Sequence, residues 1–565
     1  MVNKNGKSNT NDWMNRRNML QMGGMGTVAL LAGCLGGDGN GDNGNGGNGG
    51  NGNGRDEDGK VFIEGMGANT STLDIHGEPR VPNSIAHSSL HDTLFTVNLE
   101  LEPHPHLVDD FDRDEDATQY DFYLREDVTF HDGNPLVAES VVGTYERMLD
   151  ISPEAYLLGP VENIEAVDEY HVRMEYNDPF PLLTRNLTSP YAAILSMDAV
   201  EEAGDGYGQD IAVGTGPFKF ERWDRDERIV FTKNEDYTWG PDFLENTGPS
   251  HLDEIHFRYI PESSTLTNEL TVGNVDGTTY VPTNDADAIA DHENTSLERL
   301  DFPHADYLAL NVTRPPTDDV NVRRAISHAI NRQAVVDAAM DGEAYPILNF
   351  VPPLSVNALD ESEVEEHAHP YDPDRARELL EEAGWTNSSE GEVRTQDGED
   401  LSIYFTAFSI TQYARVGEVT QAMLSSVGFD VNLEVLEAGT LYDTLEASEH
   451  NVTTMAWSRS KFALDLLEPT LSPDNLATEG GTNYSIWDNS EFAGYLQTAR
   501  SSPEESDRQQ AMYDAQRLIL EEVPVVPIMG YTKHYGYKNE VNLGDWFEHD
   551  WWPEQHLHHR LQVDL

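Results

Sequence analysis

One cysteine in 565 residues removes both an intrachain disulfide and a cysteine-based metal cluster from consideration. Positive charge is almost as scarce: 35 Lys and Arg stand against 102 Asp and Glu, a formal charge of −67. So weak a basic content excludes nucleic acid as a partner, because that polymer is held by a basic footprint. Long apolar runs are missing as well. The best candidate, Met19 to Ala32, is too short and too rich in glycine to span a bilayer as a mature helix. The chain also lacks Gly-x-Ser-x-Gly, His-Glu-x-x-His, a Walker loop and a catalytic cysteine. Paired carboxylates carry no signal, since so many acids meet by chance. A secreted hydrolase acting on glycans or peptides therefore stays open as the alternative function. No repeat at a fixed period is visible, which argues against a structural surface array.

The acid that is present is spread along the whole sequence. At low ionic strength such a molecule repels itself, whereas at ~1 M salt the Debye length is only about 3 Å and the carboxylates serve mainly to hold water. A halophilic source follows, supported by the scarcity of Lys relative to Arg. The length calls for two or three domains.

The first 59 residues are not part of a core. Asn15-Arg16-Arg17-Asn18-Met19-Leu20 precedes the mildly apolar run, which ends in Leu31-Ala32-Gly33-Cys34. This pattern resembles a twin-arginine export signal closed by a lipobox, with cleavage before Cys34 freeing it for lipid attachment. Residues 35–54 are almost wholly Gly, Asn and Asp, a composition that cannot bury a core. Taken as flexible, 35–59 has a root-mean-square reach of about 25–30 Å.

The folded part opens with a short strand, Lys60-Val61-Phe62-Ile63-Glu64, and a loop holding Asn69 and Thr70. The most informative stretch is 120–149. Phe122, Leu124, Val128 and Phe130 suggest strand, and His131-Asp132-Gly133-Asn134-Pro135 a turn. Val137, Val141, Tyr145 and Met148 fall at helical spacing, with Pro135 placed to open the helix. Gly214-Thr215-Gly216-Pro217 leads into a hairpin, but it lacks a P-loop Lys-Ser/Thr pair and Pro217 donates no amide, so it is no phosphate cradle. Asp372, Pro373 and Gly384 punctuate a capped helix. His328 lies beside the apolar stripe of Val322, Ala325, Ile326 and Ala329 with no nucleophile in view, the setting of a structural histidine. Strands around 401–405 and 429–435 flank a helix over 412–426, a βαβ unit that predicts a largely parallel sheet there.

The 120–149 string, with Arg125, Phe130-His131-Asp132-Gly133 and Pro135, resembles the signature of the family 5 extracellular solute-binding proteins that serve peptide, nickel and oligosaccharide ABC importers. Further landmarks run through 214–237, 307–332 and 371–385, and the chain is similar to a haloarchaeal-like member. The resemblance implies an α/β, bilobed periplasmic-binding-protein-like fold, type II, of the large cluster with an extra domain and mixed sheets flanked by helices. It divides the chain into a signal over 1–34, a tether over 35–59, a discontinuous first domain from 60–95, 205–300 and 528–565, an extra domain over 96–204, and a second lobe over 301–527. It implies an extracytoplasmic binding protein, not an enzyme, which closes its lobes on a peptide-like or other small solute and delivers it to ABC permease subunits with their ATPases. It implies no cofactor, a monomer, and a lipid anchor on Cys34 at the outer face of the membrane.

The same resemblance places Asn69, Thr70, Tyr156, Trp457, Arg459, Asn483 and Tyr484 at the ligand. Tyr156 is equally explained as an aromatic packed on its own helix. Peptide-binding relatives often carry an Asp shortly after the tryptophan that matches Trp457; here Ser458, Arg459, Ser460 and Lys461 follow, and the next acid is Asp465. Arg459 and Lys461 would suit an anionic ligand, or pair with neighbouring carboxylates. Near the end, His549, His556, His558 and His559 with Trp546, Trp551 and Trp552 suit a packed tail better than a metal site. Cys34→Ser is expected to release the protein into the medium; unchanged retention in the membrane fraction would speak against the anchor.

Overall fold

The computed structural model describes residues 60–543 apart from 80, 99–101 and 388–391, together with 562–563. Cys34, the 35–59 tether and the Trp546 to His559 tail lie outside the described residues.

Two strands, Thr295–Leu310 and Val525–Lys538, run antiparallel and belong to both halves of the molecule. They pair without interruption from Thr295 opposite Lys538 to Phe302 opposite Tyr531. The register then slips twice, between Phe302 and Asp306 and between Asp306 and Tyr307, and resumes with Tyr307 opposite Pro527. Exposure changes at the same place: 295–302 is largely half-exposed, whereas every residue from Pro303 to Leu310 is buried. Pro303 cannot donate to a ladder, and a bulge is where a strand tolerates that loss.

On one side of the slip, the sheet continues from Val525–Lys538 through Gly277–Thr278, Val61–Met66, Glu254–Tyr259, Arg228–Lys233 and Phe218–Asp224. This first body packs around Phe62, Phe218, Phe231, Ile255 and Tyr535. On the other side, Thr295–Leu310 continues into Val452–Trp457, Ser402–Phe408 and Asp430–Leu436. The strand–helix–strand unit expected there is present, with the helix Thr411–Ser426 between two parallel strands. The sheet is mixed rather than largely parallel, because Val452–Trp457 pairs antiparallel with the long strand arriving from the first body. Alternation puts Leu308 and Leu310 in one core and Tyr307 and Ala309 in another, so this second body is covered on both faces.

A small domain is built on a separate antiparallel sheet of four strands, ordered Val108–Arg113, Gln119–Leu124, His171–Tyr176, Val161–Asp168. The helix Ala138–Ile151 packs on it through Val141, Tyr145 and Met148, all fully buried. Pro135 does not open this helix. Residues 128–136 close first as a small hairpin, with Phe130 N–H donating to Asn134 O at 2.8 Å and Leu136 N–H to Val128 O at 3.0 Å. Gly133 takes the positive φ, and the helix starts only at Ala138. The turn residues won because the two ladder bonds satisfy amides that an earlier helix start would leave open.

His76, His87 and His91 form a buried group beside this domain with the half-buried His131 next to it, the rings of His87 and His91 stacking at 3.9 Å. Loss of water pulls His76 and His131 down from 6.5 to about 4 and His91 to about 3, and His87 also falls well below 6.5. The unfolded chain takes up protons first, so stability is full above the unfolded value of 6.5 and falls as pH drops toward the folded values. Denaturant midpoints measured at decreasing pH are expected to fall less steeply in His87→Phe/His91→Phe than in the native protein.

Candidate ligand-binding cleft

The strand Val452–Trp457 delivers a half-buried tryptophan to the edge of the second body, and the helix Ala463–Leu471 begins a short turn later. That turn is closed on itself. The Trp457 indole N–H donates to Asp465 O at 2.8 Å, and the Ser460 hydroxyl to Trp457 O at 3.0 Å. Arg459 is thereby presented outward, toward the small domain. Its guanidinium donates to Glu154 Oε1 at 2.8 Å and Oε2 at 3.1 Å, and to the Tyr156 hydroxyl at 2.6 Å, with the Tyr191 ring 5.9 Å away.

Glu154 has a side chain only 2% exposed, and this pairing replaces the water its carboxylate has lost. Burial alone would pull the Arg459 guanidinium down, but Tyr156 and Glu154 more than offset it and hold it above its ordinary value. Burial, then the Glu154 charge, pushes the Tyr156 phenol well up, so it stays protonated. Tyr156 belongs to a single turn of helix, Ala155–Leu158, packs on the small domain's core and meets Arg459 through its hydroxyl.

A second arginine crosses in the opposite direction. Arg185 of the small domain donates to Asp465 Oδ1 at 2.8 Å and lies 4.3 Å over the Phe462 ring. Asp465, the first acid after Trp457, therefore faces a protein cation. Ser460, which stands nearer Trp457, is fully buried and neutral.

The remaining sequence candidates separate. Asn69 donates to Asp226 at 3.3 Å, in the hairpin turn of the first body, and Thr70 beside it is buried. The glycines near them serve internal packing, since a Cβ on Gly65 would come 2.4 Å from Leu266 and one on Gly67 2.7 Å from Tyr280. Asn483 and Tyr484 need correction. The Asn483 amide donates to Leu471 O, Ser472 O and Trp487 O at 3.0–3.2 Å, which leaves no polar edge for a ligand. Tyr484 is 5% exposed and belongs to the second body's core beside Tyr442. A loop pattern places a residue but not the direction of its side chain.

Sequence reasoning missed a polar group at the register slip. His304 stacks on Tyr531 at 3.7 Å and bonds Asp306 at 2.9 Å, the Tyr531 hydroxyl donates to Asp306 at 3.2 Å, and Gln412 donates to that hydroxyl. Aromatic walls, one buried carboxylate and oriented arginines suit recognition of a small polar solute. Among the described residues, no group of His, Cys, Asp and Glu is placed to hold a metal ion.

The family model for bacterial extracellular solute-binding proteins, family 5 Middle, matches residues 102–475. The chain belongs to this family. Among curated relatives, the di/tripeptide-binding protein 1 of Pseudomonas aeruginosa is 27% identical over 465 residues, covering 78% of this chain and 82% of that protein. The glutathione-binding protein GsiB of Escherichia coli is 26% identical over 482 residues, covering 83% and 89%. In solved structures, HbpA2 from Haemophilus parasuis aligns with a TM-score of 0.76 at 20% identity, over 89% of this chain and 100% of that one. DppA from Helicobacter pylori in complex with peptide STSA aligns at 0.67 and 25% identity, over 89% and 98%. The family 5 chain is thus a bilobed α/β solute-binding protein of the type II fold, and the hydrolase alternative falls away. No helix among the described residues is long and apolar enough to cross a membrane.

Asn483→Ala is expected to lower stability by about 2–4 kcal/mol, because several buried carbonyls lose their donor together. Urea denaturation checks this. A variant as stable as the native protein, but weakened in ligand binding, would return Asn483 to the cleft.

Proposed function

We propose that this family 5 protein captures short peptides or peptide-like solutes between its two bodies and hands them to an ABC permease. The observation that carries the reading is the Trp457–Arg459 turn of the second body, set opposite Glu154 and Tyr156 of the small domain. Trp457, Tyr156 and Tyr191 supply walls, Arg459 and Glu154, paired to each other in the ligand-free protein, supply opposite charges when a ligand parts them, and Asn69 and Thr70 come from the first body's opening loop. A short peptide carries both charges on an amide backbone, so it suits such a set. Named relatives bind di- and tripeptides and glutathione.

In this proposal the domains divide near the sequence boundaries: 60–95, 205–300 and 528–565 in the first, 96–204 in the small one, 301–527 in the second. Ligand contacts available only in the closed form shift the population toward it, and the closed form is what the permease reads. No bond is made or broken, no cofactor takes part, and a monomer suffices. A lipid on Cys34 would hold the body at the outer membrane face through the 35–59 tether. The acidic surface would keep it soluble at high salt.

Titration of the purified protein with di- and tripeptides in molar salt, followed by tryptophan fluorescence and calorimetry, is expected to show saturable one-to-one binding. Trp457→Ala is expected to raise Kd about 10-fold or more, as for a buried aromatic anchor. Silence across a broad peptide panel would overturn the peptide reading.

A further inference from the structure

The two bodies are joined covalently only through the crossing strands and the chain around them, yet the small domain also touches the second body. This bridge includes three sets of contacts. Arg459 of the second body reaches Glu154 and Tyr156 of the small domain. Arg185 of the small domain reaches Asp465 and Phe462 of the second body. Leu182, one turn before Arg185, packs against the core of the small domain and against that of the second body.

The polarity of the two ion pairs is reversed, each partner contributing one arginine and one acid. On the second body both pairs arise from one short stretch, 457–465, whose Trp457 is tied to the Asp465 carbonyl. The small domain's sheet is separate from the large one, and its core takes in Tyr237 and Trp239 of the first body but no residue of the second. It follows that a rotation carrying the second body away from the small domain must break both pairs and expose Leu182.

Charge makes these pairs consequential. A molecule with 102 acids against 35 basic residues gains little by bringing two of its faces together. Salt screens that repulsion beyond a few ångströms but acts weakly on contacts already stripped of water. Glu154 is such a contact, at 2% exposure, whereas Asp465 is 36% exposed and is open to screening.

We propose that Arg459–Glu154 and Arg185–Asp465 are two clasps that hold the small domain to the second body in the ligand-free protein and so fix its interlobe angle. The clasps set the starting geometry from which a solute is captured. They do so independently of which solute that is.

The test uses the full-length chain with Cys34→Ser and spin labels on cysteines introduced at Val167 and Val435, which are 43% and 44% exposed on the small domain and the second body. Distances are measured without ligand, so the result stands apart from the peptide reading. The native pairs are expected to give one narrow distance distribution. Arg459→Ala and Arg185→Ala are each expected to broaden it and lengthen its mean. Arg185→Asp alone is expected to broaden it further, and the swap Arg185→Asp/Asp465→Arg to restore the narrow distribution, which a merely misfolded variant would not do. A broad distribution in the native protein, an unchanged one in both alanine variants, or a swap that restores nothing would each overturn the proposal.

Discussion

Everything in this molecule hangs on the pairing of two strands that serve two bodies at once. A strand that changes owner must change environment midway, and the Thr295–Leu310 strand does so within a few residues. Its half-exposed front belongs to the first body's part of the sheet, and its buried rear to the second body's. The mismatch is absorbed where the ladder slips, between Phe302 and Tyr307. Irregular pairing is the place where backbone angles change at least cost, because the bonds there are already incomplete. His304, Asp306 and Tyr531 satisfy one another at that point.

Around this axis, the distribution of charge explains why so few basic residues suffice. Most acids face solvent and need no partner. Some buried acids are held by a base, Glu154 by Arg459 and Asp276 by Lys538 at 3.0 Å, whereas buried Asp92 accepts from the neutral Thr215 hydroxyl at 3.0 Å and the Trp239 indole at 3.1 Å. In a chain this acidic, each arginine at a domain boundary carries more consequence than its number suggests. Arg459 is one of these, standing at the boundary and two residues from Trp457.

Much of the architecture was legible because it is local. Asp372 accepts from the Arg375 amide at 2.9 Å, Pro373 opens the helix and Gly384 follows its end with φ of +89°, as the residue types alone dictate. The strand–helix–strand unit over 402–436 followed from its periodicity in the same way. The front half of the first crossing strand was not legible. Glu298, Arg299 and Asp301 look like loop, and their pairing partners lie more than two hundred residues onward. The cleft suffered similarly. Arg459 and Glu154 are 305 residues apart, so no spacing could join them, whereas Asn483 and Tyr484 sat in a loop pattern that said nothing of their inward direction.

The placement of the second crossing strand also orders events during synthesis. Its early half, Val525–Met529, returns to Asp306–Ala309, and its later half to Thr295–Phe302 and Gly277–Thr278, all of them made long before. Until then the sheet of the first body lacks the strand that joins Gly277–Thr278 to Thr295–Phe302. Closing so long a loop costs little more entropy than closing a medium one, but it is a slow search. Both bodies therefore wait for one late strand, although the ribosome makes most of the amino-terminal one first.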